Sequence, residues 1–224
     1  MCFIGGESWL ESGDEVSRDR APRRRRRPEE AERAILAAAR AFLEEHPFRE
    51  MTVEGVMIRT GLSRPAFYAY FRDRYEVVTR LLEGLGGLLF ALDWRWLSGG
   101  EVGEEAREVL VDALRAESQT FIEYGPVLRA IADAADYDAR VEQVYRYGLI
   151  ERLVGAVAGR ISRDVEAGLS PADLEPVETA RALVLMTERY LLDAFGRPES
   201  RPSGEERAAV FAALEGIWVR TLYG

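Results

Sequence analysis

The sequence predicts an all-α protein, with a small N-terminal three-helix unit followed by a larger C-terminal helical domain. Three observations predict it. Apolar residues recur at three- and four-residue spacing from about residue 31 onward, and no convincing period-two run interrupts them. The breaks between these stretches carry proline, glycine or a capping residue, the punctuation of helix ends. No internal repeat divides the chain, and 224 residues suffice for one sizeable core or a small domain joined to a larger one.

The elements follow in order. Residues 1 to 27 lack periodicity and end in a run of five arginines, Arg23 to Arg27, so they are expected to form a disordered, Arg-rich arm. Pro28 opens EEAERAILAAARAFLEEH, in which Ala31, Ala34, Ile35, Ala38, Ala41 and Phe42 share a helical stripe and glutamates occupy the first turn. Pro47 stops it. Thr52 is placed to cap a short helix, VEGVMIRT, which Gly61 ends. Ser63 can cap the next, with Pro65 tolerated in its first turn. Asp73 and Glu76 approximate a capping box and open a long helix through about Trp96. Beyond Gly99 and Gly100, helices are expected from about Gly103 to Tyr124, Pro126 to Ala135, Tyr137 to Ala167 and Pro176 to Phe195. The last begins at Ser203, where Glu206 completes the capping-box spacing.

Composition excludes several classes. A single cysteine, Cys2, cannot form an intramolecular disulfide and suits a reducing cytoplasm. No apolar run approaches the roughly 18 to 20 residues of a membrane helix, and the N-terminus lacks the basic region of a signal peptide. The net charge of −9 hides an asymmetry. Residues 18 to 80 hold 15 arginines against 10 acids, while residues 81 to 224 hold 15 against 25. A basic front half concentrates near phosphate, and an acidic back half stays soluble.

The basic half contains the informative stretch. Two short helices joined by a tight glycine turn, over residues 52 to 71, have the layout of a helix-turn-helix, whose second helix enters a DNA major groove. At 100° per residue, Phe67 and Phe71 share one face, with Tyr70 beside it, and are expected to pack on the first helix and Val56. The other face carries Pro65, Tyr68, Ala69 and Arg72, with Ala66 at its edge. Small residues let the backbone approach base edges, and Arg64 can reach guanine with two hydrogen bonds. Tyr68 and Arg74 suit phosphate oxygens. Thr52, Ser63 and the amides after Asp73 lie at helix N-termini, which favour anions. A tight helical corner with an aromatic core is the bland alternative.

GLSRPAFYAYFRDRYEVV also resembles the signature of TetR-type repressors: glycine, an apolar residue, serine, a variable pair, then an aromatic-rich helix ending in Phe and a basic residue. The family usually has lysine where this chain has Arg74, and often threonine where it has Ala66. ALVLMTERYLLDAF and EGIWVRTLYG are similar to the mycobacterial ethionamide-resistance repressor subgroup. The resemblance implies residues 28–72 as a DNA-binding domain and 73–224 as a connecting helix with a ligand-binding and dimerisation domain. It also implies a homodimer through the last two helices, binding a double-stranded DNA operator and released by a small apolar effector.

Dimerisation has independent support, because the final helix presents Phe211, Leu214, Trp218 and Leu222 on one side and Val210 and Ile217 on another. By alignment to the subgroup, Phe121, Tyr145, Leu153, Val157, Val184, Thr187 and Trp218 line an effector tunnel. Any of them could equally be ordinary core. Glu117 falls on the apolar stripe of Leu110, Leu114 and Phe121, where a buried carboxylate needs a partner. Gly84, Gly86 and Gly87 give the connecting helix compliance.

No phosphate-binding glycine loop, nucleophile elbow or metal-ligand cluster marks an enzyme, and no cofactor is expected. The sole histidine, His46, precedes Pro47 at a helix end and is expected to be a cap or surface residue. A helical adaptor without a DNA role is one alternative, and an uncharacterised enzyme is the other.

Overall fold

The computed structural model describes residues 28–91, 95–100, 103–199 and 202–224. The described chain runs α1 (Pro28–Leu43), a 3-10 turn (Phe48–Glu50), α2 (Val53–Thr60), α3 (Arg64–Tyr68), α4 (Arg74–Ala91) and α5 (Arg95–Ser98). It continues with α6 (Gly103–Ala135), α7 (Ala139–Glu142), a π-helical segment (Gln143–Ile150), α8 (Glu151–Glu166), α9 (Pro176–Phe195) and α10 (Gly204–Tyr223). Among the described residues there is no strand, and no helix is long and apolar enough to cross a membrane. The run Arg23 to Arg27 lies outside the described residues.

The N-terminal helices wrap one apolar cluster. Ile35, Ala39 and Leu43 of α1 are buried with Val56 and Met57 of α2, Phe67, Phe71, and Val77 and Val78 of α4. Thr52 caps α2 by accepting from the Gly55 amide at 3.0 Å, and Gly61 ends the helix with φ of 67°. Asp73 accepts from the Glu76 amide at 3.0 Å, while Glu76 accepts from the Arg72 amide at 2.8 Å. The reciprocal pair spans one residue more than a capping box and satisfies the same orphan donors.

Four expectations need correction. The second short helix covers only Arg64–Tyr68, because its end tightens into a turn in which the Phe67 carbonyl accepts from the Tyr70 amide at 2.9 Å. Ser63 precedes α3 but makes no side-chain cap bond; its backbone carbonyl takes the Ala66 amide instead. Pro126 does not break α6, which runs through it to Ala135. Burial holds the helix together there: Gly125, Val127, Leu128, Ala130 and Ile131 are buried, and an added Cβ on Gly125 would collide with the Phe195 carbonyl oxygen of α9. Tertiary packing thus outweighs the one hydrogen bond that proline removes. The expected helix from Tyr137 to Ala167 is three segments, the middle one wound with the wider π turn.

A buried polar network fastens the far end of the larger domain. Arg160, 1% exposed, donates from Nε to both carboxylate oxygens of Asp164 at 2.8 Å and from Nη1 to the Trp96 carbonyl at 2.6 Å. Tyr223 donates its hydroxyl to Asp164 at 3.1 Å and accepts from the Trp96 indole at 2.7 Å. Arg107 donates to the Tyr223 carbonyl at 2.9 Å. Three elements, α5, α8 and α10, therefore meet at one pair of opposite charges, and α6 ties in through the Tyr223 carbonyl. Removing one partner leaves the other buried and uncompensated, which costs about 3–5 kcal/mol. Asp164→Ala is expected to lower unfolding free energy by about that much in urea titration; a loss below about 1 kcal/mol would match an exposed pair instead.

Candidate functional site

The surface of α3 divides as its periodicity requires. Phe67 and Phe71 are each 1% exposed and lie against one another, ring centroids 5.5 Å apart, inside the cluster with α1 and α2. Thr52, Ser63, Arg64, Pro65, Tyr68, Ala69 and Arg72 are all exposed, Tyr68 by 51%, while Ala66 is half-buried. Arg64 and Tyr68 stand one helical turn apart, and the Tyr68 hydroxyl, followed by the charge of Glu54, raises the Arg64 guanidinium above its ordinary range. The outer face thus offers a guanidinium, a phenol and small side chains on a rigid back.

Arg74 makes contacts within the chain that its sequence position did not suggest. Its Nη1 donates to the Met51 carbonyl at 2.9 Å and lies 3.5 Å from those of Phe48 and Arg49, with the guanidinium 4.6 Å from the Phe48 ring centre. Those carbonyls belong to the turn before α2, so the guanidinium braces that turn.

A second feature lies in the larger domain. Leu97, Phe121, Leu128, Leu149, Ile150, Leu153, Ala156 and Val184 enclose an apolar cavity of about 110 Å³, into which Glu117, Tyr145 and Glu188 also face. Five of the eight expected lining residues meet there: Glu117, Phe121, Tyr145, Leu153 and Val184. The other three lie elsewhere. Val157 is fully buried in the main core, and the Trp218 indole donates to Thr187 Oγ1 at 2.8 Å in a closed, satisfied contact. Tyr145 donates to Glu188 at 2.5 Å. Glu117 is 9% exposed, and no hydrogen bond or ion pair reaches its carboxyl among the described residues. Burial first, then the charge of Glu188, pushes its pKa up to about 7.

A larger cleft of about 500 Å³ opens between the segment that follows α1, α6 and the chain just past α9, lined by His46, Arg49, Arg129, Asp133 and Arg197 among others. Its walls mix both charges and face water, and His46 lies half-exposed between Glu45 and Glu50. The enclosed apolar cavity with a few convergent polar groups is the better small-molecule site.

Residues 35–81 match the family described as "Bacterial regulatory proteins, tetR family", and residues 110–224, half of the chain, match "Transcriptional regulator EthR, C-terminal domain". The chain belongs to the TetR family. Its larger domain is of the EthR type, and the protein is a helix-turn-helix transcriptional regulator rather than an enzyme. It is 28% identical over 214 residues to the HTH-type transcriptional regulator EthR of Mycolicibacterium smegmatis, covering 93% of this chain and 95% of the relative. The protein of the same name from Mycobacterium tuberculosis is 29% identical over 204 residues, covering 90% and 92%. Among solved structures, the TetR-family regulator PfmR of Thermus thermophilus superposes with a TM-score of 0.63 at 22% identity, covering 86% of this chain and 96% of that one, and so shares its fold.

Sequence reasoning missed Glu188, Leu97, Leu128, Leu149, Ile150 and Ala156 as cavity walls. Glu188 carried a signal: it follows Val184 by one turn and precedes Leu191 and Leu192, the same apolar-stripe position that singled out Glu117.

The raised pKa of Glu117 has a stability consequence. The folded state holds a proton that the unfolded chain, with a carboxyl near 4.5, has released. Stability is therefore lost as pH rises from about 4.5 to about 7 and levels off above, a change of about 3 kcal/mol at most. Glu117→Gln is expected to abolish that segment and to exceed the parent in stability at about pH 8, measured by urea unfolding across pH.

Proposed function

We propose that the protein is a cytoplasmic, homodimeric repressor that binds a palindromic double-stranded DNA operator through α3 and releases it when a small apolar effector fills the cavity. One observation carries the reading: burial of Phe67 and Phe71 pins α3 so that Arg64, Pro65, Tyr68, Ala69 and Arg72 stay uncovered on its outer face. In this reading, Arg64 reads guanine, small Pro65 and Ala69 admit the backbone to base edges, and Tyr68, Arg72, Ser63 and Thr52 contact phosphates. Residues 28–72 act as the DNA-binding domain, and 73–224 as the connecting helix with the effector and dimer domain. Residues 1–27 supply an Arg-rich arm. Regulators of this family bind operators and small-molecule effectors and act as dimers; α9 and α10, which leave Leu185, Tyr190 and Ile217 exposed, form the two-fold contact.

The route from cavity to DNA head is short. Asp138 caps α7 by accepting from the Arg140 amide, and Arg140 Nη2 reaches Asp138 at 2.6 Å and Asp73, the cap of α4, at 2.8 Å. The π segment that follows α7 carries Tyr145, Leu149 and Ile150 of the cavity wall. An effector that displaces the π segment shifts α7, and with it the start of α4, directly after the DNA-reading helix. Gly84, Gly86 and Gly87 make α4 compliant, and at Gly84 no neighbour within 4 Å requires the missing Cβ.

Gel-shift titration against selected operator DNA over a salt series tests the reading. Arg64→Ala should weaken binding by about 1–3 kcal/mol and relax one base position, whereas Arg72→Ala should weaken all sequences alike and flatten the salt slope by about 1. Unchanged affinity and base preference in Arg64→Ala would remove Arg64 from the interface. Arg140→Ala should keep operator binding and reduce effector-induced release by about two- to five-fold, the worth of a partly exposed pair; undiminished release would place the route elsewhere.

A further inference from the structure

We infer that the effector is a lipophilic cation, a slim apolar chain ending in an ammonium group, held between the carboxyl groups of Glu117 and Glu188. The inference rests on the reading of the cavity as an effector site, and it replaces a wholly apolar effector with one whose apolar chain carries a charged head.

Charge inside the cavity is unbalanced. Two carboxyl groups bound it, Glu117 from α6 and Glu188 from α9, and none of the described lining residues is basic. Elsewhere in the interior acids are matched: Asp164 takes two bonds from Arg160 and one from Tyr223. Glu188 receives only the Tyr145 hydroxyl among the described residues. Glu117 receives nothing there, although its residue is nine-tenths buried. A carboxyl left so in an apolar wall is costly unless it is protonated or meets a cation. The groups facing it are the negative Glu188 and the phenol of Tyr145, which is itself engaged; Arg146, next to Tyr145, is turned to Asp136 at 2.7 Å. The described residues therefore present an anionic slot without supplying a counter-ion.

The remaining walls fit the rest of such a ligand. Leucine, isoleucine and valine side chains line a space of about 110 Å³, below the roughly 300–1,000 Å³ of pockets that hold drug-sized molecules, so a narrow alkyl chain suits it. The rings of Phe121 and Tyr145 add faces to which an ammonium is attracted. When the ammonium enters, Glu117 gives its proton to solvent and the ion pair forms; no other covalent bond changes. Binding thus releases a proton wherever Glu117 is still protonated in the free protein, and amine affinity rises with pH through that range.

Three probes with one chain and three heads decide the matter: hexylamine, n-hexanol and hexanoate, titrated into the full-length protein by calorimetry near pH 6 in two buffers of different ionisation enthalpy. Hexylamine is expected to bind about 10- to 100-fold more tightly than n-hexanol, the worth of one charge-assisted hydrogen bond, with hexanoate weakest. Its heat should depend on the buffer, which reports the released proton. Glu117→Gln and Glu188→Gln should each lower the ratio of hexylamine to n-hexanol affinity by about ten-fold, with the double variant showing no preference. Equal or tighter binding of n-hexanol or hexanoate would overturn the ammonium assignment and leave the cavity an effector site. An amine preference that survives in the double glutamine variant would mark adsorption to the acidic surface and overturn it too. Failure of all three probes to bind or to raise the melting temperature would remove the effector reading of the cavity itself, and this inference with it.

Discussion

A helix of five residues cannot hold its own shape in water, because nucleation costs more than so few hydrogen bonds return. The DNA-facing helix α3 is such a helix, and its geometry is imposed from outside. Phe67 and Phe71 anchor it from beneath, Gly61 turns the chain into it, and the Asp73–Glu76 exchange fixes its exit into α4. Arg74 braces the turn ahead of α2 against the same point. With support supplied from below and behind, the outer face is relieved of structural duty. The absence of a side-chain cap bond at Ser63 belongs to the same pattern: its hydroxyl is left to solvent on the exposed side.

The larger domain treats buried charge in two opposite ways. Around Arg160 and Asp164 the donors and acceptors of α5, α8 and α10 are matched, and such a centre defines a unique arrangement of helix ends. Around Glu117 no described residue completes the pairing, in a wall that could have held leucine at lower cost. Stability alone does not explain that choice, since burial holds the carboxyl against its own ionisation. Unpaired polarity inside an otherwise well-packed fold is most simply a provision for something that arrives later.

Local chemistry made much of this legible in the sequence. Thr52, Gly61, Ser203 and Glu206 behave as their residue types dictate, and the inward and outward faces of α3 follow from the helical period. The misreadings share a cause. Pro126 and Ser63 invite local rules that packing overrides, as burial of Gly125 against Phe195 carries α6 through the proline. Arg74 is a cation near a helix N-terminus, and only the fold brings the Met51 carbonyl within its reach. The π winding at Gln143–Ile150 alters residues per turn too little for eight residues of pattern to register. Val157 and Thr187 sit on cavity-lining helices but point away from the space, and Trp218 belongs to α10, which supplies none of the described cavity wall.

The link between the two halves shows how weak contacts can still transmit. Arg140 and Asp73 are 45% and 40% exposed, so their pair contributes about 1 kcal/mol or less. Coupling between sites in such regulators is typically about 1–3 kcal/mol, more than this pair supplies alone. The balance has to pass through apolar packing, and α4 offers it: Val77 and Val78 are fully buried, and the helix packs on α6, α7 and the π segment. An exposed ion pair over a buried apolar contact divides the work. In the proposed route the pair breaks and re-forms with little cost, and the close-packed valines, which cannot deform continuously, are the elements assigned to carry a small shift of the cavity wall to the head.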